Sequence, residues 1–421
     1  MSFDPTLAAA QARIAAVRPA DYARSRNAID GAVTGLSPYI THGFVTLPEV
    51  LAGVAAQHRL DMQHKFVFEL GWREYFRHLW GHTGAGILQS LHEGLLPKSA
   101  YAAELPADIR QARTGIPAID MAVRTLYATG YLHNHARMWL ASYVVHIRKV
   151  HWRAGADWMI AHLLDGDLAS NHLSWQWVAG TGSSKPYLFN AENVAKYAPP
   201  AWHSPGSVID TSYATLDAIA RNPQALVGLP GAAGMDEPAL SHAPPDATAP
   251  DAALVAGRDV WLVHPWALRL PQDLPAGTLC IGVYLAEFHS SWPWSHLCWS
   301  FVSTRMAELT TARWHADAAT LQHALRGARS VRALTDPHID LSTLAQVQPA
   351  LHLFAEVTRP CTSFSQWWTR STRDTRQLHD LPGLAGLSAG PLFDNPPERD
   401  SHDNKSTPDS PGHRRPRWHR P

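Results

Sequence analysis

The most informative part of this chain is the stretch Asp165-Gly-Asp-Leu-Ala-Ser-Asn-His-Leu-Ser-Trp-Gln-Trp177. It places two carboxylates, two side-chain amides and two indole rings within thirteen residues. Charged groups are costly to bury unless they are paired, and tryptophan is a large, flat ring that fills cores and binding sites. A site that holds a polar, planar redox cofactor beside a path for electrons needs this mixture of side chains.

Three further blocks lie upstream of this stretch. They are Thr34-Gly-Leu-Ser37-Pro-Tyr39, Glu69-Leu-Gly-Trp72-Arg73-Glu74-Tyr-Phe-Arg77-His-Leu, and Thr114-Gly-Ile-Pro117-Ala-Ile-Asp120-Met-Ala-Val-Arg124 followed by Gly130-Tyr-Leu-His133-Asn134-His-Ala-Arg137-Met138. In this order the four blocks resemble the flavin-binding core of the DNA photolyase and cryptochrome family over roughly residues 20–200, with the first block in a degraded form. One block alone is a weak indication, whereas four in the family's order are a specific one.

The resemblance and the changes of texture along the chain together predict four parts. They are a mostly α-helical, photolyase-type FAD-binding domain (1–225), a linker rich in Ala, Pro, Gly and Asp (226–256), a small α/β, Rossmann-like domain (257–375) and a disordered, Pro-rich tail (391–421). The α/β prediction depends on short apolar runs at 260–263 and 279–285, which are typical of buried parallel strands and alternate with helical patterns.

The order of these parts differs from the order that the resemblance implies. Photolyases normally carry an α/β antenna domain ahead of the helical domain, whereas here the flavin-like blocks come first. The run Val260-Trp-Leu-Val-His-Pro-Trp-Ala-Leu-Arg-Leu270 is faintly similar to the family's opening strand. We therefore expect residues 257–375 to be a permuted, degenerate relative of the antenna domain, and we assign no antenna chromophore to them.

Composition narrows the class of protein. Lys plus Arg equals Asp plus Glu at 36 each, and residues 1–200 hold 18 basic against 15 acidic residues, so a DNA-binding surface has to be a local patch.

Three cysteines without close pairing argue against a disulfide framework or an iron–sulfur cluster. The N-terminus lacks the features of a signal peptide, and no apolar run approaches the length of a membrane span. We expect a cytoplasmic protein.

The resemblance implies FAD as the cofactor. The residues that it assigns to cofactor binding are Tyr22, Thr34, Ser37, Arg73, Asn134, Arg137, Asp165, Asp167 and Asn171. Within this set, Arg137 is expected beside the isoalloxazine and paired with Asp165, and Asn171 is expected to face flavin N5. The residues alone leave other interpretations open: a salt bridge between packed helices, a helix cap at Asn171, and a plain turn at Thr34.

The resemblance also assigns an electron path and a substrate surface. Trp175 corresponds to the inner electron donor and Trp152 to the middle one, while the outer position has no tryptophan and Tyr101 is the nearest aromatic residue. Asn171 and Glu69 complete the expected catalytic set. The substrate-binding set is Trp72, Glu69, Met138 and Trp177. Without the resemblance, Glu69, Trp72 and Arg73 indicate a helix with an ion pair and a core tryptophan, and Trp175 indicates core packing.

The activity that the resemblance implies is light-driven repair of cyclobutane pyrimidine dimers in DNA by electron transfer from reduced FAD. Asn134 and Met138 match the dimer-repairing type, because the pyrimidone-photoproduct type has two histidines at these positions. The expected partner is DNA containing pyrimidine dimers, and single-stranded or damaged DNA is the easiest to flip. The alternative is a cryptochrome-like blue-light photoreceptor that binds FAD without repair. A metal hydrolase with Asp165 and Asp167 as ligands is disfavoured, because no His-x-x-x-His with a neighbouring acidic residue shows the expected spacing.

Overall fold

The computed structural model describes residues 2–226 and 234–385. Residues 227–233 of the predicted linker and the whole predicted tail, 391–421, lie outside the described residues. Met1–Leu387 form one compact unit in which the helical and α/β parts contact each other.

The prediction of a mostly helical first part is confirmed. Its α-helices are α1 (Leu7–Ala16), α2 (Pro19–Ser25), α3 (Ser37–Thr41), α4 (Leu47–Ala55), α5 (Lys65–Thr83), α6 (Ala107–Arg110), α7 (Pro117–Thr129), α8 (Asn134–Ser142), α9 (Trp152–His162), α10 (Leu168–Ala179), α11 (Ala191–Tyr197) and α12 (Tyr213–Arg221). The largely apolar stretch 138–147 forms the second half of α8 and a π-helical turn, Tyr143–Ile147, and every residue of this turn is buried.

Local sequence sets the ends of the helices that carry the candidate site. Helix α10 begins after Asp167, whose carboxylate accepts a hydrogen bond from the N–H of Ser170 at 2.8 Å. It ends at Gly180, whose φ of +76° is the left-handed conformation that favours glycine. Helix α7 begins at Pro117 and likewise ends at a left-handed glycine, Gly130.

The second part contains the predicted parallel sheet. Its helices are α13 (Ala252–Val255), α14 (Ala286–Ser291), α15 (His296–Leu309), α16 (Ala318–Leu325) and α17 (Phe364–Ser371). Its strands are β1 (Leu240–Ser241), β2 (Asp259–Val263), β3 (Leu279–Leu285), β4 (Trp294–Ser295), β5 (Ala312–Ala316), β6 (Ser330–Leu334) and β7 (Gln346–Gln348). Five of these strands form one parallel sheet in the order β5-β3-β2-β6-β7.

The described part of the predicted linker has more structure than its composition indicated. β1 pairs antiparallel with β4, and α13 lies just ahead of the sheet. Glu237 forms an ion pair with Arg110 and accepts a hydrogen bond from the indole N–H of Trp158 at 3.1 Å. These contacts link distant segments, so neither local composition nor periodicity reveals them.

Candidate functional site

An ion pair joins helix α8 to the loop before α10. Arg137 Nη2 lies 2.8 Å from Asp165 Oδ2, and the Asp165 side chain is only 6% exposed. Arg137 Nε donates a second hydrogen bond to the carbonyl oxygen of Leu132 at 2.7 Å. The pairing expected from the sequence is therefore present, and it holds the two helix starts together. Whether Arg137 also contacts a flavin stays a prediction.

Arg73 lies close to this pair and has no carboxylate partner. Its Nη2 donates to the hydroxyl of Thr41 at 2.6 Å, and that hydroxyl donates to the backbone carbonyl of Asp165 at 3.4 Å. Among the described residues, no carboxylate oxygen lies within 4.0 Å of the Arg73 guanidinium. Burial lowers the pKa of Arg73, partly offset by the charges of Asp167 and Asp165. A partly buried cation without a carboxylate partner fits the phosphate group of a dinucleotide such as FAD.

Glu69 does not pair with Arg73, although their spacing in the sequence allowed it. Its carboxylate lies 3.0 Å from Arg26 and 3.2 Å from Lys65 instead. Arg26, directly after α2, reaches Glu69 because α2 packs against α5, whereas Lys65 lies one turn earlier on α5 itself. The predicted contact between Glu69 and the lesion bases stays a prediction. Burial and the Glu69 charge raise the pKa of the neighbouring Tyr22.

Asp167 is held by a cation as well as by the helix that it caps. Arg77 Nη2 lies 2.6 Å from Asp167 Oδ2, and the Asp167 side chain is fully buried. Burial by itself raises the pKa of Asp167, but the charges of Arg77 and Arg73 outweigh it and hold this pKa below its usual range. Both Asp165 and Asp167 thus serve as partners of arginines. Among residues 2–226 and 234–385, no three His, Cys, Asp or Glu side chains are grouped as metal ligands.

Asn171 lies one turn into α10 and is buried. Its Nδ2 donates to the carbonyl oxygen of Ala156 at 2.9 Å. The interpretation of Asn171 as a helix cap is wrong, because Asp167 occupies the capping position. The hydrogen bond to Ala156 orients the amide, and its Oδ1 accepts no hydrogen bond within the described part of the chain. That oxygen is available to a ligand, which suits the predicted contact with flavin N5.

The two expected electron donors are both buried. Trp175 packs over Gly155 of α9, and the indole N–H of Trp152 donates to the Ser90 hydroxyl at 2.9 Å. Ring contacts extend from Trp152 in two directions. On one side, the ring centroid of His151 lies 5.6 Å from that of Trp152 and 6.3 Å from that of Tyr101. On the other side, the ring centroid of His172 lies 6.2 Å from that of Trp152 and 5.4 Å from that of Trp292. Tyr101 was the aromatic residue that the sequence offered near the outer position. The proximity of Trp292 to this path was not predicted, because Trp292 belongs to the α/β part.

The expected substrate-facing residues differ in accessibility. Trp177 is 40% exposed, and Asn134 is exposed with its Nδ2 3.4 Å from Met138 Sδ. Trp72 is stacked on Phe364 of α17, with ring centroids 4.1 Å apart and planes 10° apart. One face of Trp72 is therefore covered by this chain itself.

The expected phosphate loop makes a local turn. The hydroxyl of Thr34 accepts a hydrogen bond from the N–H of Leu36 at 3.3 Å, and Gly35 has a φ of +61°. This supports the turn interpretation of Thr34. Ser37 begins α3 at the end of the turn, and Thr41 at the end of α3 is the residue that contacts Arg73. The sequence missed Thr41, because its role depends on α5 packing beside α3.

Comparisons of this chain with known proteins all point to photolyases and cryptochromes. Residues 66–201 match the family model described as the FAD binding domain of DNA photolyase. The chain is 33% identical over 195 residues to the deoxyribodipyrimidine photo-lyase of Synechococcus sp., and 31% identical over 171 residues to the cryptochrome DASH of Idiomarina loihiensis. Residues 66–201 are therefore similar to the FAD-binding domain of the DNA photolyase and cryptochrome family.

The match to photolyases and cryptochromes covers part of each protein. The Synechococcus alignment spans 42% of this chain and 39% of its relative, and the Idiomarina alignment spans 38% of each. Among solved structures, the Synechocystis sp. cryptochrome is 27% identical, with a TM-score of 0.41 over 47% of this chain and 44% of that one. The chain thus spans about two fifths of the length of the curated photolyases and cryptochromes it matches. No helix among the described residues is long and apolar enough to cross a membrane.

Proposed function

We propose that this photolyase-family protein binds FAD between α3, α5, α8 and α10 and uses it under blue light to split cyclobutane pyrimidine dimers in DNA. The observation that supports the cofactor site most is the polar chain that runs from Arg73 through Thr41 and Asp165 to Arg137. Four segments far apart in sequence converge there, and the guanidinium of Arg73 has no carboxylate partner within residues 2–226 and 234–385. FAD supplies the light-driven electron transfer, and the protein supplies binding, orientation and exclusion of water.

Each residue of this cluster has a physical task in the proposal. Arg73 binds a phosphate group of the cofactor through charge-assisted hydrogen bonds. Arg137, neutralised by Asp165, places a fixed positive group beside the ring system and orients it. Asn171 offers its free Oδ1 as an acceptor to the polar edge of the ring. Trp175 and Trp152 lie in the adjoining core and provide the aromatic path for electrons.

The DNA-binding part of the proposal depends on the exposed Trp177, and on the exposed Asn134 that lies beside Met138. An exposed indole on a rigid helix is a stacking platform for a base that has left the duplex, and such stacking is worth about 1–3 kcal/mol per base. Because every base has a π-face, this surface suits a flipped dimer without requiring a particular sequence.

The test is recovery of ultraviolet absorbance by irradiated oligo(dT) under blue light, with FAD-loaded, chemically reduced protein. We expect recovery in light and none in the dark. Trp177→Ala is expected to weaken binding of irradiated oligo(dT) by about tenfold, because it removes one stacking contact. Tyr213→Ala is the matched control, since it removes another exposed aromatic side chain, 48% exposed on α12. Equal effects of the two substitutions would refute the assignment of Trp177.

The second candidate function is a blue-light photoreceptor that binds FAD without repairing DNA. Two contacts favour it: Trp72 is covered on one face by Phe364, and Glu69 already pairs with Arg26 and Lys65. Both residues belong to the expected substrate surface, so a repair enzyme has to bind its lesion with them in these positions. A preparation that is yellow and photoreducible, but never restores absorbance to irradiated oligo(dT), would establish this alternative.

We also propose that the α/β part is a permuted relative of the photolyase antenna domain. The support is its sheet, in which five parallel strands follow the order third, second, first, fourth, fifth along this part of the chain. A rearranged chain that places 257–375 ahead of 2–226 is expected to fold and bind FAD. An insoluble rearranged chain, with the original order soluble, would contradict the proposal.

A further inference from the structure

The parallel sheet has a topological switch point between β2 and β6. The chain passes from β2 outward to β3 and β5, then returns to the other side of β2 to form β6 and β7. In open α/β sheets, the crevice beyond the carboxyl ends of the two strands at such a point is the usual ligand site. Here the segments that follow these strands are 264–267 and 335–338.

This crevice is filled by the helical part of the same chain. Asp336, which follows β6, lies with its Oδ2 3.0 Å from Arg77 Nη1 of α5. Arg77 uses its other terminal nitrogen to hold Asp167. One guanidinium therefore links a carboxylate of the sheet to the carboxylate that caps α10. Aromatic rings pack against His338: Trp266 is stacked on it with ring centroids 4.4 Å apart, and Trp80 is perpendicular to it with ring centroids 4.8 Å apart.

His338 makes the second link and has a defined hydrogen-bonding state. Its Nδ1 lies 2.6 Å from Asp336 Oδ1, and its Nε2 lies 3.2 Å from the backbone nitrogen of Leu168. Since Leu168 N–H is a donor, Nε2 has to accept, and Nδ1 therefore carries the proton that it donates to Asp336. The imidazole, 1% exposed, thus satisfies an N–H in the first turn of α10.

We infer that the segment 335–338 is a positioning element for the flavin site, in which Asp336 and His338 act through Arg77 and the first turn of α10. The ligand of the switch-point crevice is then a part of this chain, and the α/β part serves to hold Asp167 and Asn171 in place. Neither Asp336 nor His338 touches the cofactor in this scheme. The inference rests on the proposed FAD site.

The test is FAD binding by apo-protein, followed by flavin fluorescence, together with the visible circular dichroism of the bound flavin. His338→Ala and Asp336→Asn are expected to weaken FAD binding by roughly 2- to 30-fold, the range found for coupling through packed networks. His338→Gln keeps a hydrogen-bonding group and is expected to restore part of the affinity. Hydrogen exchange at the Leu168 amide is expected to accelerate in His338→Ala even without FAD, since its acceptor is gone.

Asp259→Asn is the matched control. Asp259 begins β2 at the opposite end of the sheet and pairs with Arg329, so its substitution also breaks an ion pair of the α/β part but leaves the crevice intact. It is expected to leave FAD affinity and the flavin spectrum unchanged.

Asp336→Asn separates positioning from charge. The substitution makes the surroundings of the site more positive, so an effect of charge alone would tighten the binding of anionic FAD, whereas positioning predicts weaker binding. If His338→Ala does not fold, His338→Gln and Asp336→Asn carry the test. Wild-type protein that binds FAD, with folded crevice variants that bind it equally well, would overturn the inference. Wild-type protein that does not bind FAD would overturn the proposed function and this inference with it.

Discussion

Gly155 is the residue through which the position of Trp175 is most directly testable. It lies in the interior of α9, directly under the indole of Trp175, which is 2% exposed. A Cβ at this position would lie 2.3 Å from Trp175 Cη2 and 2.4 Å from Cζ3. Contacts of this kind are not tolerated, so Gly155→Ala has to displace the ring by about 1 Å or bend the helix.

Two opposing effects determine the size of the change. Forcing an extra methyl group into a well-packed core typically costs about 1–3 kcal/mol. Alanine in place of glycine inside a helix contributes about 0.5–1 kcal/mol of stability. Gly81→Ala on α5 provides the second effect alone, because a Cβ there meets no atom within 4 Å. The difference between the two variants therefore isolates the steric cost, and we expect it to be about 1–3 kcal/mol.

The assay is urea unfolding of the two variants and the wild-type protein under identical conditions. Gly81→Ala is expected to be slightly more stable than wild type and Gly155→Ala less stable. If Trp175 is the inner electron donor, Gly155→Ala also slows photoreduction of bound flavin, whereas Gly81→Ala does not. Equal stability of the two alanine variants, within about 0.5 kcal/mol, would refute the packing of Trp175 on Gly155.

Two further substitutions test charges of α5. Arg73→Met is expected to weaken FAD binding roughly tenfold to a hundredfold, because a charged hydrogen bond is lost. The same substitution is expected to leave the unfolding free energy of apo-protein unchanged or higher, since it removes a poorly compensated cation. A destabilised apo-protein would contradict this. Burial raises the pKa of Glu74 to about 7 despite hydrogen bonds from the N–H groups of Leu353 and Phe354. Because the folded protein then binds this proton more tightly than the unfolded chain, its contribution to stability is complete below about pH 4.5 and is lost as the pH rises through about 7. Urea unfolding across this window should show a slope of up to about 1.4 kcal/mol per pH unit in the wild type that Glu74→Gln lacks, and parallel profiles would refute it.

The sequence predicted most of what depends on local pattern. The apolar runs at 260–263 and 279–285 lie in parallel strands β2 and β3, as expected from their lack of polar alternation. The flavin-related blocks between residues 69 and 177 lie within the segment that matches the FAD binding domain of DNA photolyase. The Arg137–Asp165 pair was expected from the resemblance and is present.

The sequence failed where a residue's partner comes from a distant segment. The spacing of Glu69 and Arg73 allowed an ion pair along α5, but Glu69 pairs with Arg26 and Lys65 instead. The face of Trp72 is covered by Phe364, nearly three hundred residues away. The sequence pattern alone did not single out Asp336 and His338. Both follow β6 at the switch point of the sheet, where ligand sites commonly lie, so the polar residues after these strands were the signal that could have found them.

The sequence by itself determined the helical character of the first part, the strands β2 and β3, and which residue types are available for flavin chemistry, since backbone propensity, capping and apolar periodicity act over a few neighbouring residues. Only the tertiary structure decided which charges neutralise each other. A buried arginine takes whichever carboxylate the packing brings within hydrogen-bonding distance, so Arg77 pairs with Asp167 and Asp336 while Arg73 has neither. That difference, invisible in the spacing of the two arginines, leaves Arg73 without a carboxylate partner among the described residues.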